Sequence, residues 1–216
     1  MREVKRDDHE ASTRRRKGWG TLNSTIDYYE KNASTFAEST VNVEFTKTQD
    51  RFLSCLEKGA HILDFGCGSG RDTRYFLQRG FAVDAIDGSE ELCRYASAMT
   101  GIRVRHMLFQ ELEEQNVYDG IWACASILHL PKAELKVVMR KMTDALRENG
   151  IIYTSFKNSL FEGERNGRYF TDFTIETFSS FLKETEGIIL KEDWISNDAR
   201  PDRSDEKWLN LILQKM

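Results

Sequence analysis

Hydrophobic positions recur along this chain with two different periods. In residues 24–40, Ile26, Tyr29, Ala33, Phe36 and Ala37 return every three to four positions, the spacing of one helical face, and residues 45–58 repeat the pattern with Phe52, Leu53 and Leu56. From residue 60 onward, short β-rich runs alternate with helical stretches: 61–65 then 72–79, 82–86 then 90–99, 102–106, 118–125 then 132–147, and 151–156 then 175–185. Such alternation predicts βαβ units, with a parallel sheet covered by helices on both faces. Gly80, Gly101 and Gly150 stand where a helix is expected to end or the chain to turn into the next strand. The last two runs, 187–195 and 207–213, are separated only by a polar loop and are expected to pair as an antiparallel hairpin at the sheet edge. The resulting organisation is a polar tail (1–20), a helical cap (21–59) and an α/β core (60–216).

Composition narrows the picture. At 216 residues and 25.1 kDa, one mid-sized domain is expected. With 31 basic and 35 acidic residues the net charge is −4, so the body lacks the basic field of a nucleic-acid binder. Residues 1–20 differ: seven Lys/Arg against four acids give +3 and leave −7 on the rest. A solvated tail is the simpler reading of that segment, and an arm for nucleic acid or a partner is the alternative. The longest uncharged apolar stretch, 121–130, falls short of the ~20 residues of a membrane span. MREVKRDDHE has no apolar signal region, and a cytoplasmic location is expected. Cys55, Cys67, Cys93 and Cys124 lack C-x-x-C spacing and fit free thiols, and His9, His61, His106 and His129 are not spaced as ligands, so no metal is expected. Nothing in the pattern sets an oligomeric state.

The sharpest chemical signal is the stretch His61-Ile-Leu-Asp-Phe-Gly-Cys-Gly-Ser-Gly-Arg-Asp72. A buried strand runs into Gly66, Gly68 and Gly70, and a helix follows at once, with Asp72 as its N-cap or first-turn acid. Glycines let the backbone pass close beneath a ligand, while the helix start offers unpaired N–H groups. A dinucleotide fingerprint would place its third glycine at position 71, which is Arg71 here. Asp64, two residues before the first glycine, would repel a pyrophosphate but suits an amine-bearing ligand. Asp87, at the end of the second strand, is placed to accept both hydroxyls of a ribose. Singly, Asp64 reads as a loop cap and Asp87 as the start of a turn; together they point to a nucleoside with a cationic, amine-bearing substituent.

ILDFGCGSGRDTRYFLQRGFAVDAIDGS resembles motifs I and II of class I S-adenosylmethionine-dependent methyltransferases. YDGIWACASILHLPKAEL, GRYFTDFT and DARPDRSDEKWLNLIL are similar to segments of small bacterial methyltransferases related to the tellurite-resistance group and other small-molecule methyltransferases. The resemblance implies a Rossmann-like seven-stranded, mostly parallel sheet in the order 3-2-1-4-5-7-6, the last strand antiparallel, with helices on both faces. It implies S-adenosylmethionine as cofactor, with Asp64, Gly66, Cys67, Gly68 and Gly70 about its methionine part. Asp87, Gly88 and Ser89 fall at the ribose, and Phe109 and Gln110 at the adenine. Leu108 stands where many members carry an acid for the adenine amino group. Cys67 on its own reads as a small buried filler, with nothing basic adjacent to activate it.

For the acceptor, the resemblance implies that one of Tyr28 and Tyr29, on the first helix, faces the site. His129, after the fourth strand, is a candidate base or substrate contact, or it packs in the loop closed by Pro131. The segment 157–174 has the composition of a lid suited to an anionic or polarisable substrate, with Lys157, Arg165, Arg168, Tyr169 and Phe170 punctuated by Gly163 and Gly167. Lys157 and Arg165 read nearly as well as solvated surface charges. No Asn/Asp-Pro-Pro-Tyr/Phe follows the fourth strand, where Ala125-Ser126-Ile127-Leu128 stands, which argues against a DNA amino-methyltransferase. The reading is a methyltransferase using in-line displacement onto a small-molecule acceptor. The alternatives are a protein or RNA methyltransferase and a non-catalytic S-adenosylmethionine-binding module.

Overall fold

Near-continuous apolar runs fold here into strands buried on both faces, as a sheet covered by helices requires. The computed structural model describes residues 24–200, 203 and 205–216; the expected tail, 1–20, lies outside them. Strands β1 (His61–Phe65), β2 (Ala82–Asp87), β3 (Arg105–His106), β4 (Tyr118–Ala123) and β5 (Leu146–Lys157) run parallel. A small hairpin, β6 (Glu162–Arg165) and β7 (Arg168–Thr171), forms a separate sheet. Strands β8 (Ile188–Asn197) and β9 (Lys207–Lys215) close the main sheet in the order β3-β2-β1-β4-β5-β9-β8, with β9 antiparallel to both neighbours. Setting the small hairpin aside, this is the order that the family resemblance implies, and the antiparallel terminal strand is the one expected from the two helix-free runs at the end of the sequence.

Helices α1 (24–31) and α2 (Ala33–Thr40), broken at Asn32, and α3 (Thr46–Leu53) precede the sheet. Then α4 (Arg71–Gln78), α5 (Glu90–Thr100), α6 (Lys132–Ala145) and α7 (Ile175–Leu182) alternate with the strands. On one face Trp122 stacks on Tyr153 at 4.0 Å between ring centroids and meets Phe52 and Phe76, which docks α3 onto the sheet. On the other, Phe156 packs against Phe173 and Phe178 at 5.0 and 5.6 Å, fastening α7 under β5.

Four local expectations change. Strand β3 shrinks from 102–106 to two residues, because Thr100 and Ser97 of α5 take the Ile102 and Val104 amides through their hydroxyls. Strand β4 stops at Ala123, since Ala125 turns out of it in a left-handed conformation (φ 49°) and donates its N–H to Ser155. Helix α6 ends at Ala145 and β5 starts at Leu146, so Gly150 lies inside a strand. Asn149 takes the positive φ there (62°), while a Cβ at Gly150 would stand 2.8 Å from the Arg147 carbonyl oxygen. The expected lid loop contains the β6–β7 hairpin, whose two turn residues Asn166 and Gly167 both have positive φ, as a type I′ turn demands.

Among the described residues no helix is long and apolar enough to cross a membrane, and no cluster of His, Cys, Asp and Glu could hold a metal ion. Phe156 is fully buried, and truncating such a ring leaves a cavity the surrounding rings only partly fill. Phe156→Ala is expected to lower unfolding free energy by about 3–5 kcal/mol in urea titrations. A loss under about 1 kcal/mol would mean that the cluster does not hold α7 in place.

Candidate functional site

Strands β1, β2 and β4 end on the same edge, and the loops leaving them border a cleft of about 530 Å³, a usual size for a small-ligand site. After β1 the chain takes left-handed conformations at Gly66 (φ 90°), Gly68 (54°) and Gly70 (77°). A Cβ at Gly66 would stand 2.5 Å from the Ser126 Cβ, and one at Gly68 3.1 Å from the Phe36 ring. Both glycines line the cleft. Gly70 turns instead toward α5, where a Cβ would meet Ala96 and Thr100 at 3.1 and 2.9 Å, and it starts α4. Asp72 therefore sits in the first turn of α4 rather than at its cap. The Cys67 thiol lines the cleft, and burial pushes its pKa well above the usual thiol value.

Asp87 ends β2 and ties the glycine loop to the next turn. One carboxylate oxygen accepts from the Gly68 N–H and the other from the Ser89 N–H, each at 2.9 Å. Burial raises its pKa, and those two N–H groups act in the opposite direction. Ser89 caps α5 by accepting from the Leu92 N–H at 3.2 Å and donates to Glu30 at 2.6 Å. Gly88, Met107, Leu108 and Phe109 continue the wall, with Phe109 against Phe65 at 4.7 Å. Gln110 turns to α6, where its amide donates to Glu134 at 2.8 Å. Asp64 lies behind the loop and accepts from the Thr73 hydroxyl at 2.5 Å; burial, then the nearby Asp72 charge, raises its pKa.

Asp72, read from the sequence only as a helix-start acid, anchors a buried network beside the cleft. Its carboxylate accepts from Arg71 Nε at 2.7 Å, Gln49 at 2.6 Å and Trp122 Nε1 at 2.8 Å, joining α3, α4 and β4. Burial alone would raise its pKa, but Arg71 and these donors hold it below the usual carboxylate range. Arg-Asp directly after the third glycine is the local signal for this pair.

His129 is buried in a 3₁₀ turn after β4 (Ile127–His129). Burial, helped by Arg168, Arg165 and Lys157, lowers its pKa to about 4, so the ring is neutral at pH 7. Its Nδ1 lies 2.6 Å from the Tyr169 carbonyl, which can only accept, so the proton sits on Nδ1. Nε2 therefore accepts from the Tyr29 hydroxyl at 2.9 Å, and Tyr29 in turn accepts from Arg168 Nη1 at 3.2 Å. Tyr28 lines no part of the cleft wall; its ring lies 4.4 Å from the Arg168 guanidinium. Tyr169 contributes backbone, since its side chain turns outward to Glu162 at 3.2 Å. Lys157 faces the cleft beside Trp208 and pairs with Glu206. The turn joining β8 and β9 adds Asp198, which accepts from Arg200 and from Trp208 Nε1.

Residues 62–150 match the family model of a methyltransferase domain. Glycine N-methyltransferase of Rattus norvegicus is 25% identical over 123 residues, covering 47% of this chain and 42% of that protein. N-terminal Xaa-Pro-Lys N-methyltransferase 1 of Ailuropoda melanoleuca is 37% identical over 98 residues, covering 42% and 44%. The matched part of the chain thus spans less than half the length of these two relatives. The crystal structure of 1,6-didemethyltoxoflavin-N1-methyltransferase from Burkholderia thailandensis superposes with a TM-score of 0.70 at 20% identity, over all of this chain and 93% of that one. The chain therefore has a Rossmann-like methyltransferase fold, and its residues 62–150 are those that resemble a methyltransferase domain.

Proposed function

We propose that the protein is an S-adenosylmethionine-dependent methyltransferase acting on a small-molecule acceptor, with 60–216 as its core and 21–59 as its cap. The observation that carries this is the glycine loop fastened to Asp87 through the Gly68 N–H, on the floor of a ligand-sized cleft. Asp87 has oxygen lone pairs left for two ribose hydroxyls, Gly66 and Gly68 bring bare backbone beneath the ligand, and Phe109 with Met107 and Leu108 offers an apolar adenine slot. Asp64 supports the loop through Thr73, and Ser89 fixes the start of α5 beside it.

The cofactor, when bound, supplies a methyl group on a sulfonium, already a good leaving group. What the chain then contributes is alignment and a water-poor cleft. Helix α1 and the β6–β7 hairpin roof the site together, through Tyr169 N–H to the Thr25 hydroxyl at 3.0 Å and Arg168 to Tyr29. That enclosure favours a small acceptor. A neutral acceptor has a route for its proton: the Tyr29 oxygen receives it while the Tyr29 proton passes to His129 Nε2. An ionised acceptor, including an oxyanion of the kind handled by the tellurite-resistance group, needs no such route. The relatives differ in the acceptors their names carry, and the enclosure of this cleft is what supports a small one.

Calorimetric titration of S-adenosylmethionine is expected to show tight binding to the wild type and about 10- to 100-fold weaker binding to Asp87→Ala, the worth of hydrogen bonds to a charged group. Equal affinities would overturn the ribose assignment. Deleting residues 1–20 is expected to leave turnover of a small acceptor unchanged, whereas a large loss would favour a macromolecular one. If no member of a metabolite and anion panel yields S-adenosylhomocysteine, the non-catalytic binding module replaces this reading.

His129 gives a pH test. Its folded pKa of about 4 lies below the ordinary 6.5, so between those values the unfolded chain takes up a proton that the folded chain refuses. The corresponding stability is complete above pH 6.5 and is lost as the pH falls toward 4. Ring nitrogen shifts in NMR should show an Nδ1–H tautomer at pH 7 and a midpoint near 4; a midpoint above 6 would break the neutral relay.

A further inference from the structure

Four of the cations around the cleft are paired with carboxylates. Arg71 meets Asp72 at 2.7 Å, Arg165 meets Asp172 at 2.8 Å, Arg200 meets Asp198 at 2.6 Å, and Lys157 meets Glu206. Arg168 also lines the cleft, yet among the described residues no carboxylate lies within ion-pair distance of it. Its Nη1 donates to Tyr29, while its Nε is fully buried with no hydrogen-bond partner. Tyr29 occupies Nη1 and the surrounding protein encloses Nε, so Nη2, which makes no hydrogen bond among the described residues, is the end of the guanidinium left for a ligand, and a charge-assisted bond from it to a carboxylate is a strong one.

The guanidinium is also held in orientation. Its carbon lies 4.4 Å from the Tyr28 ring centroid, 5.2 Å from Phe170 and 5.7 Å from Tyr29, so aromatic faces restrict the swing of the fork. Arg168 shares Tyr29 with His129, so a group gripped by the fork sits within one side chain of the proton route.

We propose that Arg168 docks an anionic group of carboxylate type on the methyl acceptor through its Nη2 end, making it a residue that selects acidic acceptors. The inference rests on the methyltransferase reading and specifies its acceptor class. The cofactor carries a carboxylate of its own, and the test separates the two sources.

S-adenosylhomocysteine is titrated calorimetrically into the full chain and into Arg168→Gln and Arg168→Lys. Acetate and benzoate, each beside its neutral amide, are then titrated into the S-adenosylhomocysteine-saturated proteins. The expected result is S-adenosylhomocysteine affinity within about threefold in all three proteins, which also reports intact folding. At least one carboxylate should bind the wild type about tenfold or more tightly than its amide, with that preference abolished in Arg168→Gln and partly kept in Arg168→Lys. No preference in the wild type, or one that survives Arg168→Gln, overturns the docking role. A loss of about tenfold or more in S-adenosylhomocysteine affinity on Arg168→Gln overturns it too, by assigning Arg168 to the cofactor's carboxylate. Failure of S-adenosylhomocysteine to bind the wild type removes the methyltransferase reading itself.

Discussion

At the carboxyl edge of the sheet, the loop after β1 and the turn after β4 come so close that one position between them cannot carry a side chain. A Cβ at Gly66 would stand 2.5 Å from the Ser126 Cβ, and with φ at 90° the position is closed to other residues on backbone grounds as well. The contact is locked from both sides. Ser126 donates its hydroxyl to the Phe65 carbonyl at 2.6 Å, and Ala125, itself left-handed, donates its N–H to Ser155. Strands β1, β4 and β5 are thereby fixed where the cleft begins. Asp87 then fixes β2 to the same loop through the Gly68 N–H, so four strand ends move as one body around a ligand. A non-glycine residue held at positive φ beside the cleft is the kind of local strain that a surrounding scaffold must impose.

Much of this scaffold was legible in the sequence because it rests on periodicity. The alternation of short apolar runs and amphipathic stretches carried the helix-covered parallel sheet, the absence of a helix between the last two runs carried the terminal hairpin, and the strand order followed from the resemblance of the motifs to a known family. What escaped periodicity depended on competition for hydrogen bonds. Strand β3 is short because Ser97 and Thr100 take its neighbouring amides, which no apolar pattern reveals. The β6–β7 hairpin was read only as a lid, although Asn166-Gly167 carries a turn signal of its own. In the site, backbone-defined positions were legible and side-chain directions were not. Gln110, Tyr169 and Asp64 all lie where the motifs put them, yet their side chains are turned by Glu134, Glu162 and Thr73. Those partners sit on other elements or later turns, so the choice between cleft and partner is made only in three dimensions.

Burial sets the protonation of the whole site, with opposite signs at different groups. It lowers His129 and raises Tyr29, keeping both neutral, and it raises Asp64. At Asp72 the same penalty is outweighed by Arg71, Trp122 and Gln49, so that carboxylate stays charged. The difference follows from partners: a buried charge persists where donors converge on it, and otherwise the group goes neutral. The site therefore holds an ion-paired network on one side and, on the other, the neutral Tyr29–His129 pair, where His129 Nε2 has a lone pair left for a proton.

The neutral pair also bears on how a ligand enters. The β6–β7 hairpin meets α1 chiefly through polar contacts, Tyr169 N–H to Thr25 and Arg168 to Tyr29, and meets the 3₁₀ turn after β4 through His129. Contacts of this kind are individually worth about 0.5–1.5 kcal/mol, far less than the burial that holds α7 or α3 to the sheet. Phe170 and Thr171 anchor the hairpin's other side in the core, so the seam between the hairpin and α1 is where the roof opens at least cost. The same hydrogen bonds that hold it down are those that place the Tyr29 hydroxyl on His129 and the Arg168 fork beside it. Lifting the roof therefore takes the proton route apart, and closing it assembles the route, so enclosure of the ligand and alignment of the reacting groups are one structural event.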